Sequence, residues 1–367
     1  MNPTIDLIAG ARPNFMKLAP VLGALRADGR VGVRIVHTGQ HYDPGMNEVF
    51  FSGLGIPKPD VHLDVGSGPQ GAQTARILER YEALLMEDRP AAAVVFGDVN
   101  STVACALAAV KLGVPVAHVE AGLRSFDRAM PEEINRLLTD AVTDLLLVSE
   151  PSGLANLRRE GIADEKVRLV GNVMIDTLVA ELGRARELRM CDNLSLAPRG
   201  YGLVTMHRPS NVDDPEVLGR LLRLLAELGR ELPLVFPVHP RTRAAAEKAG
   251  LQWLLDDGGP MRCMQPISYR ENLSLMASAR VVLTDSGGIQ EETTFLGIPC
   301  LTMRDNTERP ITVERGTSRL VGHDPERIRA AFAEALAGRW REAEPIPLWD
   351  GHAAERVAAA VVEWLGV

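Results

Sequence analysis

The chain is poor in the features that would assign it quickly. Its four cysteines, Cys105, Cys191, Cys263 and Cys300, form no C-x-x-C pair and sit in apolar surroundings. That excludes a zinc ribbon and predicts buried thiols in a reducing cytosol rather than disulfides. No apolar run approaches the roughly 20 residues of a membrane span, and TIDLIAGARPNF carries no basic stretch ahead of a long apolar core. A cytoplasmic protein without a membrane partner is therefore expected. Basic excess is also lacking: the formal net charge is -8, which argues against nucleic acid as a partner. There is no P-loop, no H-E-x-x-H and no nucleophile elbow, and the histidines show no metal-ligand spacing, so no metal is expected. One G-x-G-x-x-G match, GSGPQG at 66–71, contains a proline and follows the short polar stretch DVHLDV. No strand with an acidic end follows at the spacing a dinucleotide site needs, so that match is read as a decoy.

What is present is alternation. At 367 residues, with 46% hydrophobic and 24% charged residues, the chain suits two soluble domains of roughly 150 to 200 residues. TIDLIAG, VRIVHTG, AAVVFGD, PVAHVEAG, DLLLVSE and VRLVGN read as strands of a first half, and YGLVTMHR, LVFPVH, MRCMQP, RVVLTDSGG, PCLTM and SRLVG as strands of a second. Continuous apolar strands separated by helix-length segments such as PEVLGRLLRLLAELGRE imply parallel sheets covered on both faces. The expected class is α/β with two doubly wound domains, 1–170 and 171–351, followed by an amphipathic terminal helix over 352–367. The natural site is the cleft between the domains.

In such sheets ligands lie beyond the carboxyl ends of the strands. There the sequence places Arg12, Gln40 and His41, Asp98, Glu120, His207, His239, Asp285 and Ser286. Arg12, Lys17, His207, Arg208, Arg304 and Arg309 form a basic set suited to a diphosphate. Asp98, Glu120, Glu132 and Glu133 form an acidic set suited to general acid and base work. A blander role is open to Glu132 and Glu133, which fall in the first turn of a helix opening at Pro131 and can serve as caps or salt-bridge partners. The stretch TDSGGIQEETTFLG, residues 284–297, combines both chemistries. Two glycines at a helix N-terminus welcome an anion, yet Glu291 and Glu292 follow at once. Both fit one ligand only if a neutral hydroxylated part lies beside its phosphate.

GARPNFMKLAP, TGQHYD, VFGDVNSTVACALAA, HVEAGLRS, MPEEINR, VGNVMID, VTMHRPSNVDD and LTDSGGIQEETTFLGIPCLTMRDNTERP, in that order, span about residues 8–322. Together they resemble the motifs of the non-hydrolysing UDP-N-acetylglucosamine 2-epimerases. The resemblance implies a GT-B fold with two Rossmann-like domains, the terminal helix returning to the first, a homodimer, and no cofactor. It assigns Ser286, Gly287 and Gly288 to the diphosphate and Glu292 to the ribose of UDP. It assigns Arg12, Lys17, His207 and Arg309 to further nucleotide contacts, His207 also to the catalytic set, and Asp98, Glu120 and Glu132 to catalysis. The implied reaction eliminates UDP to a glycal and adds it back with C2 inverted.

Several positions depart from the commonest pattern of the family. Asn14 stands where an acidic residue often follows R-P, Tyr42 and Asp43 follow Q-H, HRPSN replaces HRREN, and Asn272 replaces a frequent aromatic. These resemble the branch acting on UDP-2,3-diacetamido-glucuronic acid. A GT-B glycosyltransferase, a hydrolysing epimerase and a non-catalytic nucleotide-sugar sensor are the rival readings; the clustered carboxylates favour epimerisation.

Overall fold

The computed structural model describes residues 2–40, 55–256, 259 and 261–367. His41, Tyr42 and Asp43 lie outside the described residues, as does the side chain of Arg12. The chain divides into two compact units, Met1–Thr177 with Pro347–Val367, and Leu178–Ile346. Each is a doubly wound α/β domain of the Rossmann type, so the α/β, two-domain class expected of a GT-B protein is the class observed.

The first unit holds β1 (Thr4–Ala9), β2 (Gly32–His37), β3 (Val61–His62), β4 (Ala92–Phe96), β5 (Val116–Ala121), β6 (Leu145–Val148) and β7 (Val167–Leu169). They form one parallel sheet in the order β3-β2-β1-β4-β5-β6-β7. Apolar residues run through these strands without a polar face because helices cover both sides. Ile5, Leu7 and Ala9 face the helices Arg12–Asp28 and Ala353–Leu365, while Ile8 and Val36 face Gln70–Glu87 and Asn100–Lys111. Fully burying one such side chain contributes about 1.5–3 kcal/mol relative to exposure. The terminal helix is fixed by more than its apolar stripe. Asp176 accepts the backbone N–H groups of Ala353 and Ala354 at 3.2 and 2.6 Å, capping a helix more than 170 residues downstream.

The second unit holds β8 (Gly202–Thr205), β9 (Leu234–Pro237), β10 (Met261–Met264), β11 (Val281–Thr284), β12 (Cys300–Thr302) and β13 (Ser318–Leu320). Their order is β10-β9-β8-β11-β12-β13, again all parallel. Val204, Phe236, Leu283 and Leu301 pack one face, and Leu203, Val235 and Val282 the other.

The strand that sequence patterning overlooks is β3, two residues inside DVHLDV. It is an edge strand beside β2 only two residues long, one half-buried and one exposed, too short for an apolar run to mark it. The GSGPQG stretch follows this edge strand, whereas a dinucleotide fingerprint follows a central one. Among the described residues no helix is long and apolar enough to cross a membrane.

Candidate active site

Each sheet reverses its winding direction once, between β1 and β4 in the first unit and between β8 and β11 in the second. At such a switch point the loops after the two strands part in opposite directions and leave a crevice at the carboxyl ends. The loops there are Gly10–Arg12 and Gly97–Asp98 in one unit, and Met206–Arg208 and Asp285–Gly287 in the other. Most of the candidate residues sit in or beside these four loops.

In the first unit, Asn14 ties the two loops together. Its Oδ1 accepts the N–H groups of Gly10 and Ala11 at 3.3 and 3.1 Å, and its Nδ2 donates to the Phe96 carbonyl at 2.8 Å. An asparagine both donates and accepts here, which a carboxylate does not. Lys17, one turn further along the helix, forms a buried ion pair with Glu120. Gly97 lies against this pair. Its φ is +63°, which favours glycine, and a Cβ there would fall 2.7 Å from Lys17 Nζ and push on the ion pair. Glu120 sits where the pairing of β5 with β6 shifts register, between Val119 and Ala121, with φ +74°. A bulge re-aims a side chain beside an active site, and a left-handed glutamate is strain that packing must hold.

Asp98 forms an ion pair with Arg136, which donates a second bond at 2.7 Å to Glu133. Asn135 adds a bond to the Asp98 carbonyl at 2.9 Å. The two glutamates of PEEINR are thereby sorted. Glu133 is buried and accepts the N–H groups of Ser125 and Phe126 at 3.0 and 2.9 Å. Burial alone would raise its pKa, but these bonds and the Arg136 charge hold it below the usual carboxylate value. Glu132, its neighbour, is half-buried at the start of the helix Pro131–Val142. The capping and salt-bridge reading thus describes Glu133.

In the second unit, buried Asp285 organises the loops. Its Oδ2 accepts the N–H groups of His207 and Arg208 at 2.9 and 2.8 Å and the Asn211 amide at 3.0 Å. Its Oδ1 stands 3.2 Å from His207 Nδ1, which orients the imidazole. The helix Gly287–Leu296 opens immediately afterwards, and the Ser286 side chain does not cap it. Its first N–H groups have no partner within the helix, and the helix dipole places positive charge among them. Three guanidiniums gather beside this terminus around Glu308: Arg309 at 2.5 Å, Arg304 at 2.7 Å and Arg208 at 3.8 Å. Burial would raise Glu308, but the charges of Arg309, Arg304 and Arg208 hold it well below the usual carboxylate range. Arg309 also pairs with Glu291 at 2.8 Å. Arg304 Nη1 is buried without a hydrogen-bond partner among the described residues, as suits a site for an oxyanion. A Cβ on Gly287 would fall 2.5 Å from Arg309 Nη1 and 2.6 Å from Glu308 Oε1, so a larger residue at the helix start would displace these two side chains.

Glu291 and Glu292, the carboxylates that followed the glycines without explanation, are sorted like the first pair. Glu291 is fully buried and bound to Arg309; Glu292 is buried next to Tyr269 with no cation paired to it among the described residues. Burial, with the Glu291 charge added, pushes Glu292 up to about 8 against the opposing influence of the Tyr269 hydroxyl. It is a carboxyl group that is mostly neutral at pH 7 and ready to exchange hydrogen bonds with hydroxyl groups.

Sequence reasoning did not single out Arg136 or Glu308. Both lie inside quoted motifs, Arg136 three residues after Glu133 and Glu308 directly before Arg309. The i,i+3 spacing of opposite charges was the available signal for the first.

The model of the UDP-N-acetylglucosamine 2-epimerase family matches residues 23–362. A UDP-N-acetylglucosamine 2-epimerase of Methanocaldococcus jannaschii is 39% identical over 360 residues, 96% of this chain and 97% of that one. A crystal structure of the M. jannaschii enzyme in complex with UDP-GlcNAc and UDP superposes with a TM-score of 0.91 at 38% identity, over 98% of this chain and 99% of that one. A UDP-2,3-diacetamido-2,3-dideoxy-D-glucuronate 2-epimerase of Pseudomonas aeruginosa is 41% identical over 355 residues, 96% of this chain and 97% of that one.

Proposed function

The chain belongs to the UDP-N-acetylglucosamine 2-epimerase family, and on that premise we propose that it inverts C2 of a UDP-linked 2-acetamido sugar without hydrolysing the nucleotide. The substrate pair is UDP-N-acetylglucosamine and UDP-N-acetylmannosamine, or the corresponding 2,3-diacetamido uronic acids. The observation that carries the reading is the pair of carboxylates, Asp98 and Glu120, at the ends of adjacent strands β4 and β5, each held by its own cation.

The C2 hydrogen has no neighbouring carbonyl, so direct removal is prohibitively hard. Departure of UDP supplies the driving force. The C1–O bond breaks with its electron pair leaving on the diphosphate, a base takes the C2 proton, and C1=C2 forms in a glycal. Re-addition returns the UDP oxygen to C1 and a proton to the opposite face of C2. Arg12, Lys17, His207, Arg309 and the Ser286–Gly288 helix start stabilise the charge that develops on the leaving diphosphate. Glu292 takes the ribose hydroxyls. Asp98, Glu120 and Glu132 supply the base on one face and the acid on the other. The protein acts as a cytoplasmic homodimer with no cofactor and supplies a manno-configured sugar nucleotide for polysaccharide assembly.

The test is turnover of UDP-N-acetylglucosamine and its 2,3-diacetamido uronic acid analogue in deuterated water, followed by NMR. A base and an acid on opposite faces do not share one proton, so the product carries deuterium at C2. Full retention of the C2 hydrogen in an inverted product refutes the elimination route. UDP release that depends on an added acceptor, with C2 untouched, identifies a glycosyltransferase, and free N-acetylmannosamine identifies a hydrolysing enzyme.

A further inference from the structure

Beneath the two strand-end carboxylates lies a buried group of side chains to which the proposed chemistry assigns no part. His118 sits on β5, fully buried, two residues before Glu120. Its Nδ1 stands 2.7 Å from Asp140 Oδ1, and its Nε2 stands 2.8 Å from the carbonyl oxygen of Gly97. Asp140, also fully buried, comes from the last turn of the helix Pro131–Val142. Its Oδ2 accepts the N–H of Gly122 at 3.0 Å and pairs with Arg124 at 2.7 Å. Arg124 is itself anchored to Glu160 by bonds of 2.8 and 2.6 Å.

The placement of these contacts relative to Glu120 and Asp98 gives them meaning. Glu120 has a left-handed backbone at a bulge, a strained conformation that persists only where its surroundings enforce it. The chain on one side of it is tied through the His118 ring, and on the other side through the Gly122 N–H, and both ties end on one carboxylate, Asp140. The same imidazole reaches across to β4 and holds the carbonyl of Gly97, the residue directly before Asp98. The Gly97 N–H closes the circuit by donating to the Val119 carbonyl at 3.0 Å. The Gly97 carbonyl oxygen can only accept, so the contact at Nε2 is a hydrogen bond only when that nitrogen carries the hydrogen.

We propose that His118 and Asp140 are positioning residues for the epimerisation: they clamp the strained Glu120 bulge and the Gly97–Asp98 turn together, fixing the separation of the two carboxylates. The inference rests on the proposed reaction. The clamp lies wholly within the first unit and includes none of the residues assigned to the nucleotide or to acid and base chemistry. A displacement of about 1 Å in a catalytic group costs up to about 100-fold in rate, so the clamp acts on turnover while leaving binding alone.

The test compares His118→Asn and Asp140→Asn with Tyr81→Phe, which removes the 3.0 Å bond to buried Asp6 in the same sheet and so reports on loss of a buried hydrogen bond as such. The expected result is a kcat ten- to a hundred-fold lower in both clamp variants, with KM and UDP affinity within twofold of wild type, and an unchanged kcat in Tyr81→Phe. Unchanged kcat in both clamp variants, or an equal fall in the control, overturns the proposal. Two further measurements do not depend on activity. NMR of 15N-histidine-labelled wild-type protein is expected to find hydrogen on His118 Nε2; a ring lacking hydrogen there overturns the clamp even if the variants fail to fold. A crystal structure of His118→Asn is expected to find Glu120 out of its left-handed conformation and the Gly97 carbonyl turned; an unmoved bulge and turn overturn it. If the wild-type protein epimerises no UDP-hexosamine, the proposed function fails, and these two measurements still decide the clamp.

Discussion

Glu292 gives the sharpest quantitative expectation, because its environment in the free protein and its proposed role in the complex favour different protonation states. Burial, reinforced by Glu291, pushes the free group up to about 8. A ribose diol offers two O–H donors, which an ionised carboxylate accepts best. Binding then draws Glu292 into its charged form and releases a proton below pH 8. Only the ionised fraction is competent, and at pH 7 that is about one molecule in eleven, so the apparent affinity there is about tenfold below its high-pH limit, or about 1.4 kcal/mol. From pH 6 to pH 9 the affinity rises by about two orders of magnitude and then levels. The assay is calorimetry with UDP-N-acetylglucosamine, whose diphosphate has no terminal group titrating in this range, in two buffers of different ionisation enthalpy to count the proton released. Glu292→Gln loses the slope and the proton release together. Affinity that stays flat from pH 6.5 to 9 in the wild type, or a slope that survives in Glu292→Gln, refutes the reasoning. The same shift has a sign for the free protein. Between the ordinary glutamate value and about 8 the folded state binds more protons than the unfolded one, so this group makes stability fall as pH rises through that window.

Asp98→Asn, Glu120→Gln and Glu132→Gln are expected to lower turnover by about 100-fold or more while UDP affinity stays near wild type, as measured by NMR rates and calorimetry; near-normal rates in all three refute the acid and base assignment. Glu133→Ala is expected to behave differently. It leaves Arg136 buried with one anion fewer and the Ser125 and Phe126 N–H groups unsatisfied, a loss of about 3 kcal/mol in denaturant unfolding. Because the folded pKa of Glu133 is depressed, that stabilisation is present above the usual carboxylate range and is lost as pH falls through the folded value, so the variant and wild type converge in acid. Gly287→Ala is expected to weaken UDP binding about tenfold or more by forcing Arg309 and Glu308 aside, with the fold retained by circular dichroism.

Much of this protein is determined locally. Strand periodicity requires only apolar runs and helix-length spacers, which is why the central strands and the edge strands β7, β10 and β13 were legible and β3, two residues long, was not. The rule that ligands sit beyond strand ends selected the loops bearing Asp98, Glu120, His207 and Ser286 before any coordinates. The family resemblance picked Glu132 and Glu292 out of their adjacent pairs, and only the tertiary structure gives the physical difference between the members. Glu132 and Glu133, like Glu291 and Glu292, are the same residue type one position apart, and neighbours on a helix point about 100° apart. What surrounds each carboxylate is therefore chosen by distant chain: Ser125 and Phe126 for Glu133, Arg309 for Glu291, Tyr269 for Glu292. The same holds for His118 and Gly97, brought together only because β4 and β5 lie side by side. A sequence states which groups are available; burial and charge from elsewhere in the chain decide which of them is held, which is strained and which is protonated, because those terms depend on distance in space.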